Sequence, residues 1–483
     1  MSVSNTLRKY PLSLALALTL SACAVGPDYQ RPALATPADL NQLPSAQALQ
    51  GKGTATDWLH WWQSFDDAVL NALLDEAVKN NQDLVIAAAR IEEARAQAVY
   101  ANLNRLPGVD ANLSSTRNKT SQSTGRTPPG VRPINNSFLA TLNVSYEVDF
   151  WGKYSRANEA ARARLIAQEA NFGTVQASLY ASVAQTYFAL RAYDAQVALA
   201  ENTLKTRSEN RRLQDKRFGA GSIGAQDLQQ AIAEQAAAEV TFAQAKQNQQ
   251  LVEATLALLL GRSPQAIAHP QIPRGKALSE LYAKLIPPAD LPSDVLNRRP
   301  DLRAAEQNLV AANAEIGQAK AQYFPSIKLT GGGGYESRVL SDLIQPTSLL
   351  WNLGANLAQP IFRGGLISAL VDGAKARKDQ ALAQYVQAVQ GAFRDVHDAL
   401  VNMSADEQIV QASAQRQAAL KETLRLANLR YDNGYSSYLE VLNAQRDLWQ
   451  VESALIETQR AHLAATVSLY KALGGGWAGQ QLK

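Results

Sequence analysis

The chain has 483 residues, of which 82 are alanine, and a formal net charge of +4 at pH 7. Hydrophobic residues make up 46% of it and charged residues 19%, which excludes an intrinsically disordered protein. One cysteine cannot build a disulfide framework, and the mixed charges give no basic face for nucleic acid. The alanine content favours long helices packed side by side, because alanine is the best helix former.

The N-terminus has the pattern of an export signal. Arg8 and Lys9 precede an apolar run that is too short to span a bilayer. The run ends in Leu-Ser-Ala-Cys23, which is similar to the lipobox whose cysteine becomes the lipidated first residue of a bacterial lipoprotein. The alternative is a plain signal peptide cleaved nearby. We predict a lipoprotein signal peptide at 1–22 and lipidation at Cys23, and Ala24 in place of aspartate favours the outer membrane.

The remaining chain contains two copies of one plan. Residues 83–107 and 301–325 both run from aspartate to proline, and Tyr146–Gly152 corresponds to Ala358–Gly364. Further matches in the same order indicate a duplication. We therefore predict an N-terminal lipidated arm, a first repeat, a Pro-rich connector, a second repeat and a tail, at residues 23–65, 66–261, 262–293, 294–476 and 477–483.

Each copy reads helix, strand, loop, strand, very long helix, tight turn and long helix. In the clearest strand, 137–150, apolar residues alternate with mostly polar ones, and 348–357 repeats this more weakly. Such strands are long enough to cross an outer membrane when tilted. The alternative is a soluble sandwich, but the four visible strands are too few for two packed sheets. Because four strands cannot close a barrel either, we expect three chains to contribute twelve.

Long helices account for most of each copy. Residues 153–217 and 365–433 contain no proline, so each stretch can form a helix of about 100 Å. A seven-residue hydrophobic repeat from Val441 to Leu469 predicts packing against neighbouring helices on both flanks. Trp58, Trp61 and Trp62, before the first helix, are interpreted as an anchor on the folded domain.

Several motifs together resemble the outer-membrane efflux proteins of the TolC family, in the lipoprotein branch that includes OprM and NodT. They are the lipobox, GPDYQRP at 26–32, YEVDFWG at 146–152, and RYDNG at 430–434 followed by VLNAQR at 441–446. The resemblance runs from Cys23 to Leu473. It implies a mainly α-helical homotrimer, whose 12-stranded β-barrel in the outer membrane continues into a 12-helix α-barrel across the periplasm. It also implies a periplasmic adaptor and an inner-membrane pump of the RND type as partners, for export of drugs or other small solutes.

The resemblance also implies functional positions at two helix–turn–helix tips, which contact the adaptor in this family. The tips lie at Gly219–Gly224 and Asp432–Tyr435, and the contact residues are Gly219, Gly221, Gly224, Asn433 and Gly434.

Further residues correspond to the pore gate. Glu440 and Asn443 fall on the two positions where TolC has aspartates, so one carboxylate is kept and the other is an amide. The alternative for Glu440 is a solvated helix residue. Asp227 and Tyr431 match positions whose polar links hold the tip closed, with ordinary surface placement as the alternative.

Other functional classes find little support in the sequence. The four histidines are far apart and lack metal-ligand spacing, and Gly331–Gly334 lacks the Lys-Ser/Thr of a phosphate loop. We therefore expect no enzyme and no cofactor. The competing hypotheses are a lipid-anchored periplasmic coiled-coil scaffold without a pore and a surface hydrolase, for which no residue set can be named.

Overall fold

The computed structural model describes residues 25–35, 57–121, 133–283 and 295–477. The signal peptide and Cys23 lie outside these residues, as do parts of the arm, the connector and the tail. The described elements, in chain order, are α1 Ala68–Asn80, α2 Gln82–Leu103, β1 Gly108–Lys119, β2 Ile134–Val148, α3 Lys153–Gly219, α4 Ala225–Leu259, α5 Pro264–Ala268, α6 Leu278–Ala283, α7 Val295–Arg298, α8 Pro300–Lys320, β3 Ser326–Ser337, β4 Leu349–Ala358, α9 Leu366–Asp432 and α10 Tyr438–Ala472.

Most corresponding elements of the two copies match in length, and the exceptions are the second strands, with 15 residues in β2 and 10 in β4, and the helices α2 and α8, with 22 and 21. Helices α3 and α9 each contain 67 residues, α4 and α10 each contain 35, and β1 and β3 each contain 12. Helices α3 and α9 also end alike. The Ser222 N–H donates to the Arg217 carbonyl and the Tyr435 N–H to the Arg430 carbonyl, both at 2.8 Å. This Schellman ending requires a residue with left-handed backbone. Gly221 (φ 70°) supplies it after α3, and Gly434 (φ 77°) supplies it after α9.

The Cα positions fall into two compact units. One comprises the described residues of Arg90–Gln168 and Ala305–Tyr385 together with residues 25–33, and the other contains the remaining described residues. Each unit therefore takes segments from both repeats, so the duplication does not divide the chain into two separate domains. Within the described ranges, no helix is both long and apolar enough to cross a membrane.

The first unit contains an antiparallel sheet in the order β1-β2-β3-β4. The strand predictions are confirmed with shifts of up to three residues, since β2 covers 134–148 and β4 covers 349–358. Val109 lies opposite Val144, Val144 opposite Gly331, and Gly331 opposite Leu353. Residues directly opposite share a face of the sheet. The apolar residues of all four strands therefore form one continuous face.

That apolar face is exposed in the single chain. Leu113 and Leu353 are each 81% exposed and Trp351 is 73% exposed. The opposite face carries polar side chains, namely those of Asp110, Asn112, Thr141, Asn143, Lys328, Asn352 and Asn356. A soluble sandwich would cover its apolar face with a second sheet, whereas the described residues form a single sheet. The arrangement fits a sheet with lipid on one side and water on the other.

In the second unit, the tryptophans before α1 form the anchor that the sequence predicts. Trp61 and Trp62 are buried, and Trp61 stacks on Tyr470 with ring centroids 5.4 Å apart. Asp67 then caps α1 and accepts a 2.7 Å hydrogen bond from the Tyr187 hydroxyl. The chain is thus fixed to the long helices before α1 begins.

The glycines of β3 differ in how much room a side chain would have. A Cβ at Gly334 would lie 2.7 Å from Thr141 Cα and closer still to the Ala140 carbonyl oxygen, both backbone atoms of β2. A Cβ at Gly333 would meet nothing nearer than the Leu350 carbonyl oxygen at 3.9 Å. Of these two glycines, only Gly334 is therefore required by the close approach of the β2 backbone.

We predict that Gly334→Ala disturbs the β2–β3 pairing and costs roughly 1–3 kcal/mol, the usual cost of overpacking. Gly333→Ala is the matched control, in the same strand. The check is the fraction of heat-modifiable trimer in outer-membrane extracts, which should fall for Gly334→Ala alone. Equal trimer fractions for the two variants would contradict the steric account.

Candidate functional site

The two predicted tips form the exposed turns between α3 and α4 and between α9 and α10. Gly219, Gly221, Gly224, Asn433 and Gly434 are all exposed there. A Cβ added at any of these glycines would meet nothing within 4 Å. Gly221 and Gly434 need glycine for their left-handed backbone, but Gly219 and Gly224 do not have this conformation. Gly224 is the N-cap of α4, where glycine is among the favoured residues, so only at 219 does the chain's own fold give no reason for glycine.

Tyr431 links the second tip to the first hairpin. Its hydroxyl accepts hydrogen bonds from Arg217 Nη1 at 2.8 Å and Gln214 Nε2 at 3.3 Å, and the Arg217 guanidinium lies 5.4 Å from the centre of its ring. Within the described chain, Asp227 is not a hydrogen-bond partner of Tyr431. It lies in the first turn of α4, where the helix dipole favours a carboxylate. Tyr431 is thus linked to the first hairpin by Arg217 and Gln214 of α3, and not by Asp227 of α4.

A charged network that is buried at Arg207 and half exposed at Arg446 connects α3, α4 and α10 further from the tip. The Glu234 carboxylate, 12% exposed, pairs with the buried Arg207 at 3.5 Å and with Arg446. Arg207 also donates to Gln445 Oε1. A carboxylate between two guanidiniums neutralises charge that would be costly to bury alone. This network ties the first hairpin to α10.

The side chain of Tyr438 packs beside this network. Its hydroxyl accepts a hydrogen bond from Asn210 Nδ2, and burial raises the pKa of the Tyr438 hydroxyl to about 12. The phenol is therefore neutral at physiological pH, and it closes the start of α10 against α3.

The sequence analysis missed the Glu234 network, although a pattern could have shown it. Ala231, Ala238 and Ala245 recur every seven residues on α4 and are buried. Glu234 follows Ala231 by three residues, so it lies on the same face. A carboxylate inside an alanine stripe indicates a buried ionic contact.

Glu440 and Asn443 lie on an exposed face of α10. Val441, Ala444 and Val451 are buried, as the heptad predicts, and Ala444 lies one turn after Glu440, so Glu440 is at the edge of the exposed face. The Glu440 carboxylate lies 3.7 Å from Arg430 Nε, in a pair where both side chains are about half exposed. Such exposed pairs contribute little, so Glu440 stays available to solvent. Asp447, which the sequence analysis overlooked, is exposed two turns further along the same face.

Residues soon after the predicted lipidation site are held on the first unit. The Val25 N–H donates to the Trp151 carbonyl at 3.2 Å, and Asn313 Nδ2 donates to the Pro27 carbonyl at 2.8 Å. Asp28 pairs with the buried Arg156 at 2.7 Å. We call residues 25–28 the strap. Because Trp151 follows the end of β2 closely, the strap fixes the N-terminal chain beside the sheet.

An apolar-faced sheet with open edges and paired helical hairpins define an outer-membrane channel of the multi-chain type. The chain belongs to the outer membrane efflux protein family, whose model matches residues 73–262 and 291–475.

Individual relatives match nearly the whole chain. The cation efflux system protein CusC of Escherichia coli O6:H1 is 34% identical over 471 residues, covering 96% of this chain and 98% of CusC. The toluene efflux pump outer membrane protein TtgC of Pseudomonas putida is 35% identical over 469 residues, covering 96% and 95%. The crystal structure of the Campylobacter jejuni CmeC outer membrane channel superposes with a TM-score of 0.88 at 28% identity, covering 95% and 96%.

This membership establishes the class of function. The protein is an efflux channel of the Gram-negative outer membrane, with a long periplasmic helical barrel, and it is not an enzyme. Such channels are trimers that work with an adaptor and an inner-membrane pump in tripartite systems.

We predict that Glu234→Ala destabilises the helical hairpins by about 3 kcal/mol per chain, because it leaves the buried Arg207 without its carboxylate. Glu239→Ala is the matched control, since Glu239 is exposed and accepts a hydrogen bond from Gln235 of the same helix. The midpoint of thermal unfolding of the purified trimer, followed by circular dichroism, should fall only for Glu234→Ala. Equal midpoints would contradict a structural role for the network.

Proposed function

We propose that the protein is the lipid-anchored, passive exit duct of an RND-type efflux system and conducts drugs or other small solutes. The observation that supports this most is the sheet in which one face is apolar and exposed and the other is polar. Three copies would enclose a polar lumen that needs no chemistry of its own, and the inner-membrane pump would supply the energy.

The pump, and not the duct, is proposed to choose the cargo. CusC is named for cation efflux and TtgC for toluene efflux, and both match this chain over 96% of its length at about one-third identity. Solutes as different as cations and an aromatic solvent share little recognition chemistry. A duct shared by such different systems therefore fits a polar lumen that does not select the solute and conducts whatever the partner pump delivers.

The pore constriction is proposed to be lined by the exposed face of α10. Glu440 would contribute three carboxylates, one from each chain, and their mutual repulsion would resist crowding while attracting cations. Asn443 would add an amide ring without charge. Asp447 lies on the same face and would restore a second carboxylate ring further from the tip.

The tips are proposed to contact the adaptor. Gly219 has open space around it and ordinary backbone, so the chain itself does not demand glycine there. A partner backbone that approaches closely would demand it, since a glycine leaves room for such an approach. Asn433 beside the second tip would supply polar contact.

The anchor is proposed to be a lipid on Cys23, inserted in the outer membrane beside the barrel. Cys23 precedes Val25 by two residues, which limits their separation to about 7 Å. The strap holds Val25 on the Trp151 carbonyl, next to the end of β2. A lipid at this position would enter the same membrane that the sheet crosses.

We predict that Glu440→Gln lowers the cation preference of the channel at least about twofold, because three carboxylates at a constriction raise the local cation concentration. The measurement is the reversal potential of the trimer in planar bilayers under a potassium chloride gradient. Glu239→Gln is the control and removes one exposed carboxylate per chain from α4 instead. An unchanged permeability ratio in Glu440→Gln would defeat the pore ring, and a trimer with no conductance would favour the scaffold hypothesis.

We predict that Cys23→Ser abolishes incorporation of labelled palmitate while trimers still reach the outer membrane, because the barrel provides a second anchor. Wild-type protein is the control and should incorporate the label. Wild-type protein that remains unlabelled would rule out the lipid anchor without affecting the channel.

A further inference from the structure

We propose that β4 of one subunit pairs with β1 of the next in a single register, in which Leu357 lies opposite Leu113 of the partner subunit. We propose in addition that the exposed turn at Ile361 and Phe362 packs on Leu106 and Pro107 of that subunit. Both contacts rest on the trimer and are independent of the proposed pore ring, adaptor and lipid.

The register follows from the duplication, which relates the strands of the two repeats by fixed offsets. Residues of β1 correspond to those of β3 218 positions later, as in the match of 83–107 with 301–325. Residues of β2 correspond to those of β4 213 positions later, the offset that relates α3 to α9. The motif match of Tyr146–Gly152 with Ala358–Gly364 has an offset of 212, one residue off this register, so the strands are aligned by the helix offset and not by that motif.

The observed sheet provides a check of these offsets. In the first repeat, Val109 of β1 lies opposite Val144 of β2. The residue 218 positions after Val109 is Ile327, and the residue 213 positions after Val144 is Leu357. Ile327 and Leu357 do lie opposite each other between β3 and β4. The duplication therefore reproduces the strand register inside the second repeat.

The same offsets give the contact that one chain lacks. Strands β2 and β3 join the first repeat to the second, with Val144 opposite Gly331. The β4 residue that corresponds to Val144 lies 213 positions later and is Leu357. The β1 residue that corresponds to Gly331 lies 218 positions earlier and is Leu113, here of the next subunit. The duplication therefore places Leu357 opposite Leu113 of the partner subunit. Both residues lie on the apolar face, whereas a slip by one residue would place an apolar residue opposite a polar one.

The turn contact follows from the same symmetry. After β2, the Trp151 ring stacks on Phe324 at 4.6 Å, and its Nε1 donates to the Pro325 carbonyl at 2.8 Å. The residues equivalent to Phe324 and Pro325 are Leu106 and Pro107, and Leu106 is 60% exposed.

In the corresponding turn after β4, the motif match places Arg363 at the position of Trp151. The exposed apolar side chains of this turn are those of Ile361 and Phe362, just before it, which are 89% and 88% exposed. The two apolar surfaces that would form this contact, at Leu106 and at Ile361 and Phe362, are thus both exposed in the single chain. Across the subunit boundary, the turn after β4 and the entry to β1 would bury each other.

The register is tested by disulfide cross-linking of the full-length trimer in outer membranes. Directly opposite residues have Cβ atoms about 4.5–5.5 Å apart, close to disulfide geometry, whereas diagonal neighbours are about 7–8 Å apart. We expect the pair Leu357→Cys with Leu113→Cys to form covalent dimers and trimers at least tenfold faster than Leu357→Cys with Ala111→Cys or with Ser115→Cys. Each single variant controls for Cys23.

A shifted pair that cross-links as fast as the aligned pair would overturn the register, as would a heat-modifiable trimer in which no pair cross-links. Should the apolar-face variants fail to assemble, the polar-face pair Asn356→Cys with Ser114→Cys tests the same register. It should cross-link at the rate expected for the aligned pair, and its failure in an assembled trimer would equally overturn the proposal.

The turn contact is tested by Phe362→Ala against Ile344→Ala, a variant of an 81% exposed residue between β3 and β4. We expect only Phe362→Ala to lower the temperature at which trimers dissociate on gels. Equal dissociation temperatures would overturn the turn contact. Neither experiment depends on ion selectivity or acylation, so failure here is distinguishable from failure of the proposed duct mechanism.

Discussion

The backbone groups at the two edges of the sheet are the constraint on which the rest of the structure depends. In hydrocarbon, every N–H and C=O must be hydrogen-bonded within protein, so an open sheet cannot remain in a membrane. The described chain has one sheet, with β1 and β4 at its edges and an exposed apolar face. The chain therefore needs other copies to satisfy its edges. Trimer formation is part of the fold, because a single chain cannot close the barrel.

The duplication explains how a short sheet and very long helices belong to one design. Each repeat supplies two strands and a helical hairpin, and the hairpin helices have the same lengths in both repeats. Three chains therefore supply six similar units around a ring. The repeats differ where function requires it. Asp227 and Glu234 of α4 correspond to Glu440 and Asp447 of α10, 213 positions later. Glu234 is largely buried and ties α4 to α10 through Arg446, whereas Glu440 and Asp447 are exposed.

Patterns with short periods were predictable from the sequence, and choices of partner were not. The alternation in β2 fixes which face of the sheet is apolar, the heptad of α10 fixes which of its residues are buried, and the structure confirms both. Tyr431 bonds to Gln214 and Arg217 because of how α3 is rotated toward α9, which no local pattern encodes.

The central claim is that one face of this sheet contacts lipid and the other contacts water. Nitroxide labels at Leu353→Cys and Asn352→Cys test it directly, since consecutive strand residues point to opposite faces. In trimers reconstituted in liposomes, the label at 353 should collide mainly with oxygen, which concentrates in lipid. The label at 352 should collide mainly with a water-soluble nickel chelate. Equal, high chelate accessibility at both positions would contradict the account.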